Sequence, residues 1–151
     1  MDNESRKATI SKLKETWHKI DCQYDNYAKT MGVNFVTILA LQLLYESARL
    51  YTQKEVCEKL GLPKQFINSV VKSLWEQGYV QLKEARDRRN KKIILTDAGK
   101  DYAVLVLKPL DDAETAAWEG FSDEDLVTFT GTMERYTKAL GEALRCPPVA
   151  K

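Results

Sequence analysis

Hydrophobic residues recur every three or four positions near both ends of the chain, a spacing that predicts two long amphipathic helices. The first is expected over about 6–31 and the last over about 123–144, with Ser122 as the N-cap of the last helix. The apolar positions are Ile10, Leu13, Trp17, Ile20, Tyr24, Tyr27 and Met31 in the first helix and Leu126, Phe129, Met133, Tyr136, Leu140 and Leu144 in the last. Each helix therefore has one apolar face, and we expect the two helices to pack together as a scaffold.

The middle of the chain begins with a strongly apolar stretch at 33–45, which predicts a buried helix too short to cross a bilayer. Thr52 and Glu55 then have the Thr-x-x-Glu spacing of a capping box, so a short helix is expected from about residue 53. It should stop before Gly61, because glycine readily ends a helix. These features predict the first half of a helix-turn-helix.

A second helix follows, with Pro63 as its expected first residue and Gly78 as its end. Its spacing predicts an inward face of Phe66, Ile67, Val70, Val71, Leu74 and Trp75. The opposite face contains amides, hydroxyls and lysines but no acid, namely Lys64, Gln65, Asn68, Ser69, Lys72 and Ser73. Such groups can hydrogen-bond base edges and bind phosphates, so this helix is a candidate DNA-reading helix.

Two short β-strands are predicted next, at 79–85 and 92–96, with a polar turn between them. This hairpin is strongly cationic, with Lys83, Arg86, Arg88, Arg89, Lys91 and Lys92 against only Glu84 and Asp87. A two-stranded ribbon is marginal alone and must lean on helices. An arginine-tipped ribbon suits the narrow, electronegative minor groove of DNA. A further helix should follow Thr96, its N-cap, and should be kinked or interrupted at Pro109.

The motif Asp87-x-Arg89, then Leu95-Thr96 and Gly99, placed directly after a capped helix-turn-helix, resembles the winged-helix signature of the MarR family of transcriptional regulators. The segment 60–65 and Asn68-Ser69 also resemble the recognition-helix entry of one branch of that family, although Phe66 stands where the family often has a small polar residue. The resemblance implies a homodimer whose recognition helix, here 63–77, enters the major groove. It further implies that Arg89 reaches the minor groove, that Asp87 braces this arginine, and that a small-molecule effector binds between scaffold and DNA lobe.

Charge is distributed unevenly along the 151 residues, although the net charge is only +1. Between residues 54 and 92 ten Lys and Arg face five Asp and Glu, whereas between 97 and 142 four face eleven. A basic middle and an acidic end are typical of a DNA-binding lobe on a non-binding scaffold. The predicted DNA-binding residues are Lys64, Gln65, Asn68, Ser69, Lys72, Arg86, Asp87, Arg88, Arg89 and Lys91.

Enzymatic and metal-dependent functions find little support in the composition. His18 is the only histidine, the glycines form no phosphate-binding loop, and we expect no cofactor. Three cysteines without paired spacing and a charged amino-terminal segment favour a cytoplasmic protein that has no signal peptide and does not enter the membrane. Cys22 is expected to be a small packing residue, with a redox-sensing role near Tyr24 and Tyr27 as the alternative.

The sequence thus predicts a mainly α fold with a small β-hairpin wing. Segments 1–32 and 97–145 would form the dimerisation scaffold, 33–96 the winged helix-turn-helix lobe, and 146–151 a flexible tail. The predicted function is ligand-responsive repression by a homodimer bound to a near-palindromic operator in double-stranded DNA, with half-sites one helical turn apart. The alternative from another class is a winged-helix protein-interaction module that uses Phe66 and Trp75.

Overall fold

The part of the chain that the structure describes is mainly helical and includes a small antiparallel sheet. The computed structural model describes residues 1–84 and 91–145. In chain order the elements are α1 (Asn3–Thr30), α2 (Phe35–Glu46), β1 (Tyr51–Thr52), α3 (Gln53–Leu60), α4 (Lys64–Glu76), β2 (Val80–Glu84), β3 (Lys91–Leu95), α5 (Asp97–Trp118) and α6 (Asp123–Arg145). The predicted helix-turn-helix followed by a hairpin is therefore confirmed, with bounds that differ by a few residues at most.

The sheet contains three strands in the order β1-β3-β2, and both pairings are antiparallel. Ile93 in the central strand lies opposite Tyr51 on one side and Leu82 on the other. The sequence pattern missed β1, because a two-residue strand has no alternation to detect. The wing is consequently tied to the segment that precedes α3 as well as to its own partner strand. Ala85, the predicted end of the first wing strand, lies outside the described residues.

The chain divides into two compact units, the first of which comprises Met1–Leu110. Every helix and strand from α2 to β3 in this unit contributes to one hydrophobic core, with Ala28 from α1 and two residues from α5. The predicted buried helix is confirmed as α2, in which Ile38 and Leu41 are fully buried. The largest fully buried side chains are Ile38, Leu41, Ile67, Leu74, Ile93, Val56, Val71, Val80 and Val106.

The turn between α3 and α4 follows the predicted local chemistry. The Thr52 backbone N–H donates to a Glu55 carboxylate oxygen at 2.7 Å, and the Glu55 backbone N–H donates to the Thr52 hydroxyl at 3.2 Å, which completes the capping box. Gly61 ends α3 with φ +64°, a conformation that residues with a Cβ rarely adopt. Pro63 is the N-cap residue of α4 and not its first helical residue, so the helix begins one residue later than predicted.

The start of α5 is fixed against the end of α4. The Thr96 hydroxyl accepts from the Gly99 backbone N–H at 3.0 Å, which confirms Thr96 as an N-cap, and donates to the Gly78 carbonyl at 2.7 Å. A Cβ on Gly99 would lie only 1.9 Å from the Tyr79 carbonyl oxygen. Glycine is required here because the Tyr79 backbone occupies the space of a side chain, so the Thr-x-x-Gly part of the wing motif is structural.

Pro109 does not interrupt α5, which runs through it without a break, so the predicted interruption is wrong, while the alternative of a kink stays a prediction. A proline here deprives the carbonyl four residues earlier of its usual helical donor. The Tyr27 hydroxyl donates to the neighbouring carbonyl, that of Val106, at 2.6 Å. Burial raises the Tyr27 pKa above its usual range, and a hydrogen bond from the Leu110 backbone N–H partly opposes that rise. Tyr27 of α1 therefore supplies polar contacts to α5 beside the proline.

The second unit begins at Asp111 and contains the end of α5 and all of α6. The Asp125 backbone N–H donates to the Ser122 hydroxyl at 3.2 Å, which confirms Ser122 as the N-cap of α6. The Trp118 ring contacts Phe121 edge-on, with 5.1 Å between centroids, and also contacts Phe129. No residue of α6 is buried within the chain. The packing of the first and last helices, and the boundaries of the scaffold, lobe and tail, stay predictions.

Candidate nucleic-acid interface

Of the five DNA-binding residues predicted on α4, four are exposed to solvent. Ile67, Val70, Val71 and Leu74 lie on one side of the helix and are buried in the core, which fixes the rotation of the helix about its axis. The opposite face exposes Lys64, Gln65, Ser69 and Lys72. Lys72 pairs with Glu76 at 3.7 Å, and both side chains are largely exposed, so this ion pair is weak and exchangeable.

Asn68 is placed differently from the prediction. The residue is only partly exposed, and its Oδ1 is buried without a hydrogen-bond partner within the described residues. A bidentate contact to adenine needs both Oδ1 and Nδ2 of an asparagine. Asn68 must therefore rotate before it can make that contact, whereas Gln65 and Ser69 need no such change.

Phe66 and Trp75 do not belong to the buried face of α4, which corrects the prediction that both point inward. Phe66 is 48% exposed and Trp75 is 56% exposed. The helical spacing allowed either residue to join the core stripe, but Ile67, Val70, Val71 and Leu74 already fill it. Both aromatic residues flank this stripe and contact water.

A cavity of about 590 Å³ lies where α3, the first turn of α4 and the wing strands meet. Three lysines line it, Lys54 from α3, Lys64 from α4 and Lys91 from β3, and Cys57 and Glu58 of α3 are also part of its wall. Lys54 pairs with Glu58 at 3.7 Å in an exposed i,i+4 contact. With three lysines from three elements against one glutamate, this cavity, the lysine groove, has a net positive lining that attracts a phosphate group. The sequence prediction included Lys64 and Lys91 but missed Lys54.

Glu55 connects the wing to the helix-turn-helix. Its carboxylate accepts from the Lys92 ammonium of β3 and from the Arg49 guanidinium, each at 2.8 Å. These contacts add to its capping bond with Thr52. The pKa of Glu55 is lowered to about 2. The main cause is the hydrogen bond from Lys92, and the next is the hydrogen bond from the Thr52 backbone N–H. Lys92 is thus occupied by a structural ion pair, and Lys91 is left as the exposed lysine of that strand.

Four predicted site residues, Arg86, Asp87, Arg88 and Arg89, lie outside the described residues. Their predicted contacts with DNA, and the predicted bracing of Arg89 by Asp87, stay predictions. The described strands on either side place Glu84 opposite Lys91 and Lys83 opposite Lys92. At the described base of the wing, Lys91 contributes to the wall of the lysine groove.

Cys22 is exposed on α1 within the single chain, and its expected role as a small packing residue stays a prediction. Its sulfur lies 3.8 Å from Nε2 of His18, one turn earlier. Sequence reasoning missed this thiol–imidazole pair, although the i,i+4 spacing on a helix indicates it. Within residues 1–84 and 91–145 no three His, Cys, Asp or Glu side chains are grouped so that they could hold a metal ion.

No single helix among the described residues is both long enough and apolar enough to cross a membrane. Only α1 and α2 taken together, with a bend of 81° between them, reach that length and apolarity.

Comparison with known proteins identifies the lobe. The MarR family model matches residues 31–90, which include α2 to β2 and end before β3. The chain is 34% identical over 80 residues to YwoH, an uncharacterised helix-turn-helix transcriptional regulator from Bacillus subtilis (strain 168). That alignment covers 52% of this chain and 58% of YwoH, so it spans less than two thirds of this relative.

Solved structures extend the likeness in fold to both ends of the chain. A MarR family regulator from Neisseria meningitidis, NMB1585, superposes with a TM-score of 0.77, covers 91% of this chain and 96% of its own, and is 23% identical. A MarR/EmrR family regulator from Acinetobacter sp. ADP1 superposes with a TM-score of 0.72 and is 18% identical. The superposition covers 93% of this chain and 99% of that regulator. These relatives are regulators, in agreement with the prediction of a non-enzymatic family. Residues 31–90 thus match the MarR family model, and the chain shares the winged helix-turn-helix fold of solved MarR family structures.

Proposed function

We propose that this chain is a DNA-binding transcriptional regulator that inserts α4 into the major groove. One observation carries the proposal: the acid-free exposed face in the first turns of α4 adjoins a groove lined by three lysines from three elements and by one carboxylate, that of Glu58. Phosphate contacts orient a protein on duplex DNA, while groups on the inserted helix read base edges. The lysine groove and the α4 surface supply both kinds of group on one side of the lobe.

The residue roles follow from this arrangement and from the family resemblance. Gln65 and Ser69 read base edges, and Asn68 joins them after rotation of its amide. Arg89 enters the minor groove and Asp87 braces it, as the resemblance implies. Phosphates are held by the exposed cations of α4 and the wing, which are Lys64, Lys72, Arg86, Arg88 and Lys91.

A homodimer is the second part of the proposal. It is supported by apolar side chains exposed along the first half of α1, where Ile10 and Leu13 lie, and along α6, where Val127 is 73% exposed. Exposed apolar faces of this extent are typical of protein–protein interfaces. A two-fold dimer places two copies of α4 about 34 to 36 Å apart and so fits a near-palindromic operator. Sedimentation at micromolar concentration that finds only monomer contradicts this part.

Ligand-controlled repression is the third part. A cavity of about 380 Å³ in the first unit is lined by Asn34, Thr37 and Tyr102 and by Ser69 and Ser73 of α4. Its volume lies within the range of small-molecule sites, which begins at about 300 Å³. A polar effector bound here would contact α4 directly and shift it relative to the DNA. Without the effector, the dimer occupies its operator in the cytoplasm and blocks transcription.

Fluorescence anisotropy of labelled duplexes at several salt concentrations tests DNA binding. We expect affinity to fall steeply with salt, and Lys64→Ala to reduce the slope of log K against log salt by about 1. Lys19→Ala is the matched control, because Lys19 lies on α1 and pairs with Glu15 at 2.6 Å. Arg89→Ala should cost about 1 to 3 kcal/mol. The proposal is refuted if the chain does not bind duplex DNA, or if its affinity for DNA changes neither with salt concentration nor with Lys64→Ala.

Two rival functions rest on particular observations. The exposed aromatic rings of Phe66 and Trp75 favour a protein-interaction module, which predicts binding to a protein partner and no salt-dependent affinity for DNA. The exposed Cys22 beside His18 favours redox control of DNA binding. Mild peroxide that lowers the DNA affinity of the wild type but not of Cys22→Ser supports the redox variant, and equal affinities dismiss it.

A further inference from the structure

Phe66 occupies an unusual place for an aromatic side chain. It is the third residue of α4 and is 48% exposed, although the next residue, Ile67, is fully buried. Its neighbour one turn along the helix is Ser69, which is exposed, and the preceding residue is the exposed Gln65. A ring of this size therefore lies among the polar groups at the leading end of the proposed recognition helix.

Trp75 is also exposed, but it lies nine residues later on α4. At a rise of 1.5 Å per residue the two rings are separated by about 13 Å along the helix axis. A helix inserted by its first turns brings Phe66 to the base edges and keeps Trp75 away from them. Trp75 is therefore a matched control for Phe66: both rings lie on α4 and are similarly exposed, but only Phe66 would lie close to the DNA.

The charges around Phe66 favour DNA over protein as its partner. Lys64 precedes it by two residues, Lys72 follows on the outward face, and the lysine groove adjoins the first turn of α4. In the first two turns of α4, all of which the structure describes, there is no acidic residue. A polyanion is the complementary surface.

The major groove offers one apolar group on the edges of the standard bases, the C5 methyl of thymine. We infer that Phe66 is a specificity-determining residue that contacts a thymine methyl group in each operator half-site. The inference rests on the proposed DNA-binding function and extends it, because it names a base and the atom that is read. Burial of one methyl group against the ring sets the expected size of the effect at about fourfold in affinity.

The test removes the methyl group from the DNA and the ring from the protein, separately and together. The full chain first selects duplexes from a random-sequence library, and one selected duplex is then resynthesised with deoxyuridine in place of each thymine in turn. Deoxyuridine pairs as thymine does and lacks only the methyl group. Affinities are measured for the wild type, Phe66→Ala, Phe66→Leu and Trp75→Ala, and circular dichroism checks that each variant is folded.

The wild type should lose about fourfold in affinity at one thymine per half-site. Phe66→Ala should show no loss from the same deoxyuridine exchange, while Phe66→Leu should retain part of it and Trp75→Ala all of it. A wild type that is insensitive to every deoxyuridine exchange overturns the inference but not DNA binding, and so does a Phe66→Ala variant that keeps the full discrimination. A chain that selects no duplex overturns the proposed function itself.

Discussion

Glu55 gives the sharpest stability prediction, because one carboxylate accepts from Thr52, Lys92 and Arg49. Its pKa falls from 4.5 to about 2, which corresponds to about 3 kcal/mol if none of the interaction is screened. The Glu55 and Lys92 side chains are each 31% exposed and Arg49 more so, and water reduces the value. We therefore expect Glu55→Gln, which removes the charge, to lower the free energy of unfolding by about 1 kcal/mol.

Glu55→Ala also removes the acceptor for the Thr52 backbone N–H, so it should cost about 2 kcal/mol. The difference between these two variants includes the capping bond, since glutamine can still accept that hydrogen bond and alanine cannot. Urea denaturation at pH 7 and one fixed protein concentration provides the values. Glu58→Gln is the control, because Glu58 lies on the same helix and makes only an exposed pair with Lys54 at 3.7 Å.

The same interaction predicts a dependence on pH. A carboxyl group whose pKa is lowered by folding stabilises the folded state above its unfolded pKa, and this stabilisation is lost as pH falls. The gap between wild type and Glu55→Gln should hold from pH 7 to about 5 and shrink as pH falls from 4.5 towards 2. A gap that equals the Glu58→Gln effect at pH 7, or one that does not change with pH, refutes the assigned role.

Two further changes test the packing of α5. Gly99→Ala should destabilise by about 1 to 3 kcal/mol in chemical denaturation, because its Cβ would meet the Tyr79 carbonyl at 1.9 Å. Gly120→Ala, with nothing within 4 Å of the new Cβ, should change stability by less than about 0.5 kcal/mol, and similar losses for both would contradict the close approach. Tyr27→Phe should cost about 1 kcal/mol through the lost bond to Val106, and an unchanged thermal midpoint would show that this bond contributes nothing.

The sequence predicted the elements whose signals are local. The capping box at Thr52 and Glu55, the turn at Gly61 and the N-cap at Thr96 each act within a few residues, so their spacing alone indicates them. The buried face of α4 was also predictable, because its four core residues follow the helical period. These local signals were sufficient to order the helices and the wing.

Other features depend on residues far apart in the chain. The strand β1 exists because Tyr51 finds a partner in Ile93, and Lys92 reaches Glu55 through the same pairing. Periodicity likewise could not decide whether Phe66 is core or surface, since a residue at the edge of an apolar stripe is assigned by what packs beside it. Such assignments need the tertiary structure.

The Tyr27 hydroxyl has a consequence for how the first unit unfolds. It bonds α1 to α5 at the turn that Pro109 leaves short of a backbone donor, across 79 positions of sequence. Melting of the carboxyl end of α1 would uncover that turn to water, so hydrogen exchange at the amides that follow Pro109 should accelerate whenever α1 frays. The stability of α5 around Pro109 therefore depends on α1 as well as on α5 itself.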